Sequence, residues 1–132
     1  MEVKIDTKEK FTVITPITID VSANIAADLI ERCKIILQNR VKNLILNMES
    51  VSRIDQLGME GITKLQQEFY ENNASFVVCG ISSEVEVVLE KAGLLELWNI
   101  TPTESEAWDI VQMEEIEREL LDGDDINFSN EG

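Results

Sequence analysis

Histidine is absent from the 132 residues. That absence removes a His-based triad, a His general base and a His metal ligand. Cysteine is almost absent: Cys33 and Cys79 are the only two. A disulfide scaffold is denser than this, and a zinc site needs more ligands. Both stand in apolar company, at Ile30-Glu31-Arg32-Cys33 and Val77-Val78-Cys79, which reads as two small buried hydrophobes in a reducing compartment. Positive charge is scarce, with 11 Lys and Arg against 26 Asp and Glu and a net charge of −15. So acidic a chain repels the phosphate backbone of nucleic acid and an anionic membrane surface, and neither is expected as a partner.

No apolar run reaches the ~20 residues that span a bilayer, so no direct membrane insertion is expected. The opening Met1-Glu2-Val3-Lys4-Ile5-Asp6 has no signal-peptide core, and the expected location is the cytoplasm. There is no Gly-rich phosphate loop and no cysteine in an activating setting. The expectation is therefore a protein that is not an enzyme and carries no cofactor and no metal.

What is present suits one soluble domain. Apolar residues make up 44% and charged residues 28%, and the length fits a single domain with a short tail. Residues 114–132 hold eight acids and one base, Arg118. Residues 114–121 are expected to extend the last helix, and 122–132, which lose the apolar pattern, to form an acidic disordered tail. The Glu114-Glu115 pair reads as a solvated helix face.

The body, residues 1–113, alternates strand and helix signals. Val3 and Ile5, Phe11–Ile14 and Ile17–Ile19 are β-branched or apolar stretches, and Pro16 among them suggests an edge or a bulge. Helical spacing follows over 24–38, with Ile25, Leu29, Cys33, Ile36 and Leu37 on one face and Ser22 or Asn24 as cap. Leu44–Met48 and Phe76–Ile81 are short apolar runs that fit buried strands, and 57–71 between them is helical, with Ile62, Leu65 and Phe69 on one side. Ser83-x-x-Glu86 and Thr103-x-x-Glu106 are capping boxes for two more helices, and Gly93 stops the first of them. The first is expected to carry Val85, Val88, Leu89 and Ala92 inward, the second Ala107, Ile110 and Val111. Leu97–Ile100 is a short strand or an extended link. Trp98 and Trp108 read as packing residues.

This order predicts an α/β fold: a mixed, mostly parallel sheet of 4–5 strands, about four helices, and an antiparallel pair at the N-terminal edge.

The most informative segment is Ile54-Asp55-Gln56-Leu57-Gly58-Met59. Asp55 is placed to cap a helix starting near Gln56, and Gly58 and Gly61 allow its first turns close to the sheet. Two further segments accompany it, Ile19-Asp20-Val21-Ser22-Ala23 and Glu84 to Leu94. Together, in this order and spacing, they make residues 1–113 resemble the STAS domain (sulphate transporter and anti-sigma-factor antagonist), and within it the bacterial anti-sigma-factor antagonists. The resemblance implies a STAS-type fold and a regulatory, non-enzymatic protein-binding module acting in partner switching. It implies as partner an anti-sigma factor of the histidine-kinase-like ATPase type, together with a PP2C-type phosphatase. It implies a binding surface at Asp20, Ser22, Asp55, Gln56, Leu57, Gly58 and Met59, with Leu57 and Met59 exposed or half-exposed. The alternative is a scaffold, or a cytoplasmic accessory subunit of a transporter or larger signalling complex.

One departure from the family pattern bears on mechanism. The antagonists' kinase phosphorylates the serine after the Asp, which adds about −1.5 to −2 charge at the docking surface. In this chain Gln56 stands there, and an amide cannot accept a phosphate ester. Intact-mass analysis after incubation with the cognate kinase is expected to show no added phosphate. Uptake would put the acceptor at another hydroxyl, Ser50 or Ser52.

Overall fold

The three apolar runs are strands buried on both faces. β2 (Thr12–Ile17), β4 (Leu44–Asn47) and β6 (Phe76–Cys79) lie side by side, flanked by β1 (Glu2–Thr7) and β7 (Ile100–Thr101) in the order β1-β2-β4-β6-β7. β1 runs antiparallel to β2 and every other pair in this sheet is parallel. The expected mixed, mostly parallel sheet with its antiparallel pair at the N-terminal edge is the sheet observed. Two further short strands, β3 (Asp20–Val21) and β5 (Arg53–Ile54), form a separate parallel pair. The structure is a computed structural model that describes residues 1–131, with side chains through Leu121. The expected disordered tail at 122–132 falls outside the described side chains.

Because side chains alternate across a strand, each run feeds two cores. Ile14, Leu44, Leu46, Phe76 and Val78 join the larger core, while Val13, Ile45, Val77 and Cys79 join the smaller. Helices α1 (Ala23–Ile36) and α2 (Gln56–Glu71) cover the larger core with Ala26, Leu29, Cys33 and Ile36, and with Met59, Ile62, Leu65 and Phe69. Helix α3 (Ser83–Lys91) adds Val85 and Leu89 to the same core. Helix α4 (Glu104–Glu131) lies on the other face, with Ala107 and Val111 buried. Phe69 and Phe76 meet edge to face at 5.2 Å, and Phe11 stacks on Trp108 at 4.5 Å.

Several local expectations are corrected. Pro16 lies in β2, an interior strand; the β2–β4 ladder ends at Ile14↔Leu46, so the missing N–H of Pro16 falls beyond it. Helix α3 is capped by Ser82 rather than Ser83: the Ser82 hydroxyl accepts the Val85 amide at 3.2 Å, while the Ser83 hydroxyl turns to Glu84. Val88 and Ala92 stay at the surface of that helix. Only Ile100–Thr101 extends the sheet. Trp98 is packed instead against α2, its indole N–H donating to the Thr63 hydroxyl at 2.8 Å. Gly61 admits helix α1, not the sheet: a Cβ there would stand 2.5 Å from Ile30 Cδ1.

The Glu114-Glu115 pair is not a solvated face. Glu114 accepts the Tyr70 hydroxyl at 2.8 Å, and Tyr70 in turn accepts from Asn99 Nδ2 at 2.9 Å. Glu115 accepts from Asn43 Nδ2. The buried Asn43 side chain also donates to the Lys10 carbonyl at 3.0 Å and accepts from the Ser75 amide at 2.9 Å and Arg118 Nη2 at 3.3 Å. Its donor and acceptor capacity is thus used in full. These bonds fasten α4 to the sheet where its apolar contacts end.

Helix α3 closes on Gly93 at φ +73°, with Leu94 N–H bonded to Leu89 O at 2.9 Å and Gly93 N–H to Glu90 O at 3.0 Å. This is a Schellman ending, which asks for a residue free to adopt positive φ. Gly93→Ala meets no atom within 4 Å, so only backbone strain opposes it. A loss of about 1 kcal/mol is expected from urea denaturation. An unchanged midpoint would show that the left-handed ending contributes nothing.

Candidate functional site

The parallel β3–β5 pair sets two helix starts side by side. Asp20 is in register with Arg53 and Val21 with Ile54, so the next residues, Ser22 and Asp55, are adjacent N-caps of α1 and α2. Asp55 is an effective cap: its Oδ1 accepts the Gly58 amide at 2.8 Å, and its own amide donates to the Val21 carbonyl at 3.2 Å. One residue therefore ties the start of α2 to β3. Ser22 makes no side-chain cap bond.

Gly58 is needed for this approach. A Cβ there would lie 3.1 Å from Ile54 Cγ1, 3.2 Å from the Val21 carbonyl oxygen and 3.3 Å from Asp55 Oδ1. The Val21 oxygen belongs to paired backbone and cannot swing away, so a side chain at 58 would push the helix start off the strand pair.

The helix start then decides which side chains are presented. Gln56 and Leu57 face out, and Leu57 is 64% exposed. Gln56 Nε2 donates to Glu60 Oε1 at 3.2 Å, one turn along the surface. Met59 is the exception among the expected surface residues. It is 4% exposed and sits in the larger core, because the 3.6-residue period that turns Leu57 outward turns Met59 inward. Gly58 is likewise buried, so both support the corner from beneath.

Asp20 is exposed beside Arg53, with Oδ2 3.8 Å from Nε. Such an exposed pair contributes little to stability. Sequence reasoning missed Ile19. It is 62% exposed, and its carbonyl accepts the Ser52 and Arg53 amides at 2.8 and 3.0 Å. The sequence signal was its place at the head of the Ile19–Ala23 segment, where it read as the end of a β-branched stretch rather than as a surface residue. The corner thus joins outward apolar side chains (Ile19, Leu57) to polar ones (Asp20, Gln56). Neither helix carries an acid in its first turn, so the positive ends of two helix dipoles stand together here.

Covalent chemistry has no activated thiol to use. Burial pushes the Cys33 thiol up to about 12. Burial first, then Glu104 and Glu49, push Cys79 up to about 12. Tyr70 is raised as well, by burial and by its bond to Glu114. Among the described residues no three Cys, Asp or Glu side chains gather as a metal-binding set. No described helix is long and apolar enough to cross a membrane.

A five-stranded, mostly parallel sheet with α1, α2 and α3 on one face, α4 on the other, and a capped helix corner presenting apolar and polar groups defines the class: an α/β domain with helices on both faces of its sheet. The STAS domain family profile matches residues 2–107, and the chain belongs to that family. Solved structures carry the same fold. One from Thermotoga maritima, described as a candidate anti-sigma factor antagonist, superposes with a TM-score of 0.75 at 18% identity, covering 83% of this chain and 94% of that one. The anti-sigma factor antagonist SpoIIAA in its unphosphorylated form, described for the phosphorylated form as a Bacillus cell-fate determinant, gives 0.69 at 20%, covering 84% and 96%. A murine anion transporter, solute carrier 26 family member A9, gives 0.65 at 18%, over 79% of this chain but only 18% of the transporter.

The buried thiols predict a pH dependence. Below the ordinary thiol value of 9.0 both folded and unfolded chains are protonated, and the burial contribution to stability is intact. Above it the unfolded chain loses protons that the folded chain retains until about 12, so stability falls across this window. Urea midpoints measured against pH are expected to drop above 9, less steeply in Cys33→Ala. Equal slopes for the two proteins would exclude Cys33 as a source.

Proposed function

We propose that the chain is a non-enzymatic regulator that docks on a partner protein through the corner made by Ile19, Asp20, Gln56 and Leu57, in the manner of an anti-sigma-factor antagonist. The observation that carries this reading is Leu57: a large aliphatic side chain held outward by a well-capped helix start, next to the position at which the resembled antagonists are modified. An apolar anchor on the same corner as the exposed Asp20, Gln56 and Glu60 has the composition of a docking hot spot, in which one side chain buried on binding contributes most and its polar neighbours exclude water.

The partner implied by the resemblance is an anti-sigma factor of the histidine-kinase-like ATPase type, with a PP2C-type phosphatase in the same circuit, in the cytoplasm. Gln56 keeps the corner neutral. A phosphoserine in its place would add charge and bulk against the partner, whereas the amide leaves the surface in its binding-competent charge state. Docking by this chain is therefore constitutive with respect to phosphorylation at this position. The similarity to the transporter's domain favours a second reading, a STAS module serving a transport or scaffold assembly.

A pull-down from lysate of the source organism, with wild type beside Gln56→Asp and Leu57→Lys, separates the two. A kinase-type anti-sigma factor is expected with wild type and is expected to be lost with both variants. Leu57→Lys should weaken binding about a hundredfold, because it removes the anchor and buries a charge. Recovery of transporter or scaffold subunits instead would replace the first reading with the second.

A further inference from the structure

Helix α4 is apolar on two opposite sides. At about 100° per residue, Met113, Ile116 and Leu120 fall within about 60° of one another and roughly opposite Val111, which faces the sheet. Val111 is fully buried, whereas Met113, Ile116 and Leu120 are 60%, 54% and 60% exposed. Ala107 and Val111, with Trp108 and Ile110 partly buried beside them, pack α4 on the smaller core, and the outer stripe is not part of that core. Beside it runs an open groove of about 710 Å³, in which Trp108, Met113 and Ile116 supply the apolar wall. One base in that groove, Lys10, stands against three acids, Asp109, Glu115 and Glu119.

We propose that this outer stripe of α4 is a second docking surface, and that its occupant is a basic amphipathic helix of a partner protein. Charge decides among occupants. Residues 104–121 contain seven acids and one base, so pairing two copies of α4 face to face would bring like charge against like charge. An anionic membrane would be repelled in the same way. A helix with aliphatic residues at i, i+3 and i+7 and Lys or Arg beside them meets both the stripe and its rim. The stripe lies across the sheet from α2, so this surface stands or falls independently of the Asp55 corner.

A synthetic Lys/Leu amphipathic helix is a suitable probe, followed by NMR of methyl-labelled methionine in the full chain. Met113 is exposed while Met48 and Met59 are buried, so the stripe has its own reporter. The Met113 methyl signal is expected to shift on titration while the Met48 and Met59 signals stay in place. Ile116→Ser with Leu120→Ser alters exposed positions only and preserves net charge. Affinity is expected to fall about tenfold or more in that double variant, with its thermal midpoint unchanged. Equal binding by the double variant would overturn the proposal by showing attraction through charge alone, as would an unshifted Met113 signal. A wild-type dimer in sedimentation equilibrium that the double variant abolishes would overturn it in favour of a second copy of this chain.

Discussion

The carboxylate of Asp55 fixes where α2 begins, and the presented corner follows from that start. Its oxygen holds the Gly58 amide, while its own amide holds the Val21 carbonyl. The first bond supplies an acceptor that the helix end lacks. The second anchors the helix to the small β3–β5 pair. With the phase of α2 set, Gln56 and Leu57 point out, and Met59, Ile62, Leu65 and Phe69 point in. A shift of the start by one residue would rotate the face by about 100° and exchange surface for core. Gly58 is the matching constraint, because its missing side chain leaves room for the strand that the cap engages.

The sheet can carry such a corner because its central strands are saturated on both faces. Period-2 alternation sends Leu44, Leu46, Phe76 and Val78 to one core and Ile45, Val77 and Cys79 to the other. The two cores are unequal. Three helices serve the larger, while α4 alone serves the smaller and reinforces its few apolar contacts with the Tyr70–Glu114, Asn43–Glu115 and Asn43–Arg118 bonds. Every one of these polar partners is half-buried or buried, where an unmade hydrogen bond is costly. The bonds therefore hold α4 in register on the sheet and leave its other side free.

Much of this was legible in the sequence because it depends on local pattern. Short apolar runs bounded by polar residues read as buried strands, and Asp55 before a helical period read as a cap. The order of the segments gave the mixed sheet with its antiparallel edge. What was not legible depends on neighbours distant in the chain. The resemblance grouped Met59 with Leu57 on the binding surface, and only the phase set by Asp55 separates them. Glu114 and Glu115 looked solvated because their partners, Tyr70 and Asn43, lie 44 and 72 residues away. Pro16 suggested an edge, and the edge is only local: β2 is an interior strand, but its ladder with β4 stops at Ile14. Ser82 and Ser83 offer the same hydroxyl one residue apart, and the pattern alone cannot rank them.

The role assigned to Gln56 is tested most directly by putting the hydroxyl back. Wild type and Gln56→Ser are each bound to a purified kinase-type anti-sigma factor, ATP is added, and both release and protein mass are followed. Wild type is predicted to stay bound and gain no phosphate, while Gln56→Ser gains one phosphate and dissociates. Release of wild type with phosphate uptake, or a Gln56→Ser protein that stays bound after phosphorylation, would contradict the idea that this corner holds its partner because residue 56 cannot be modified.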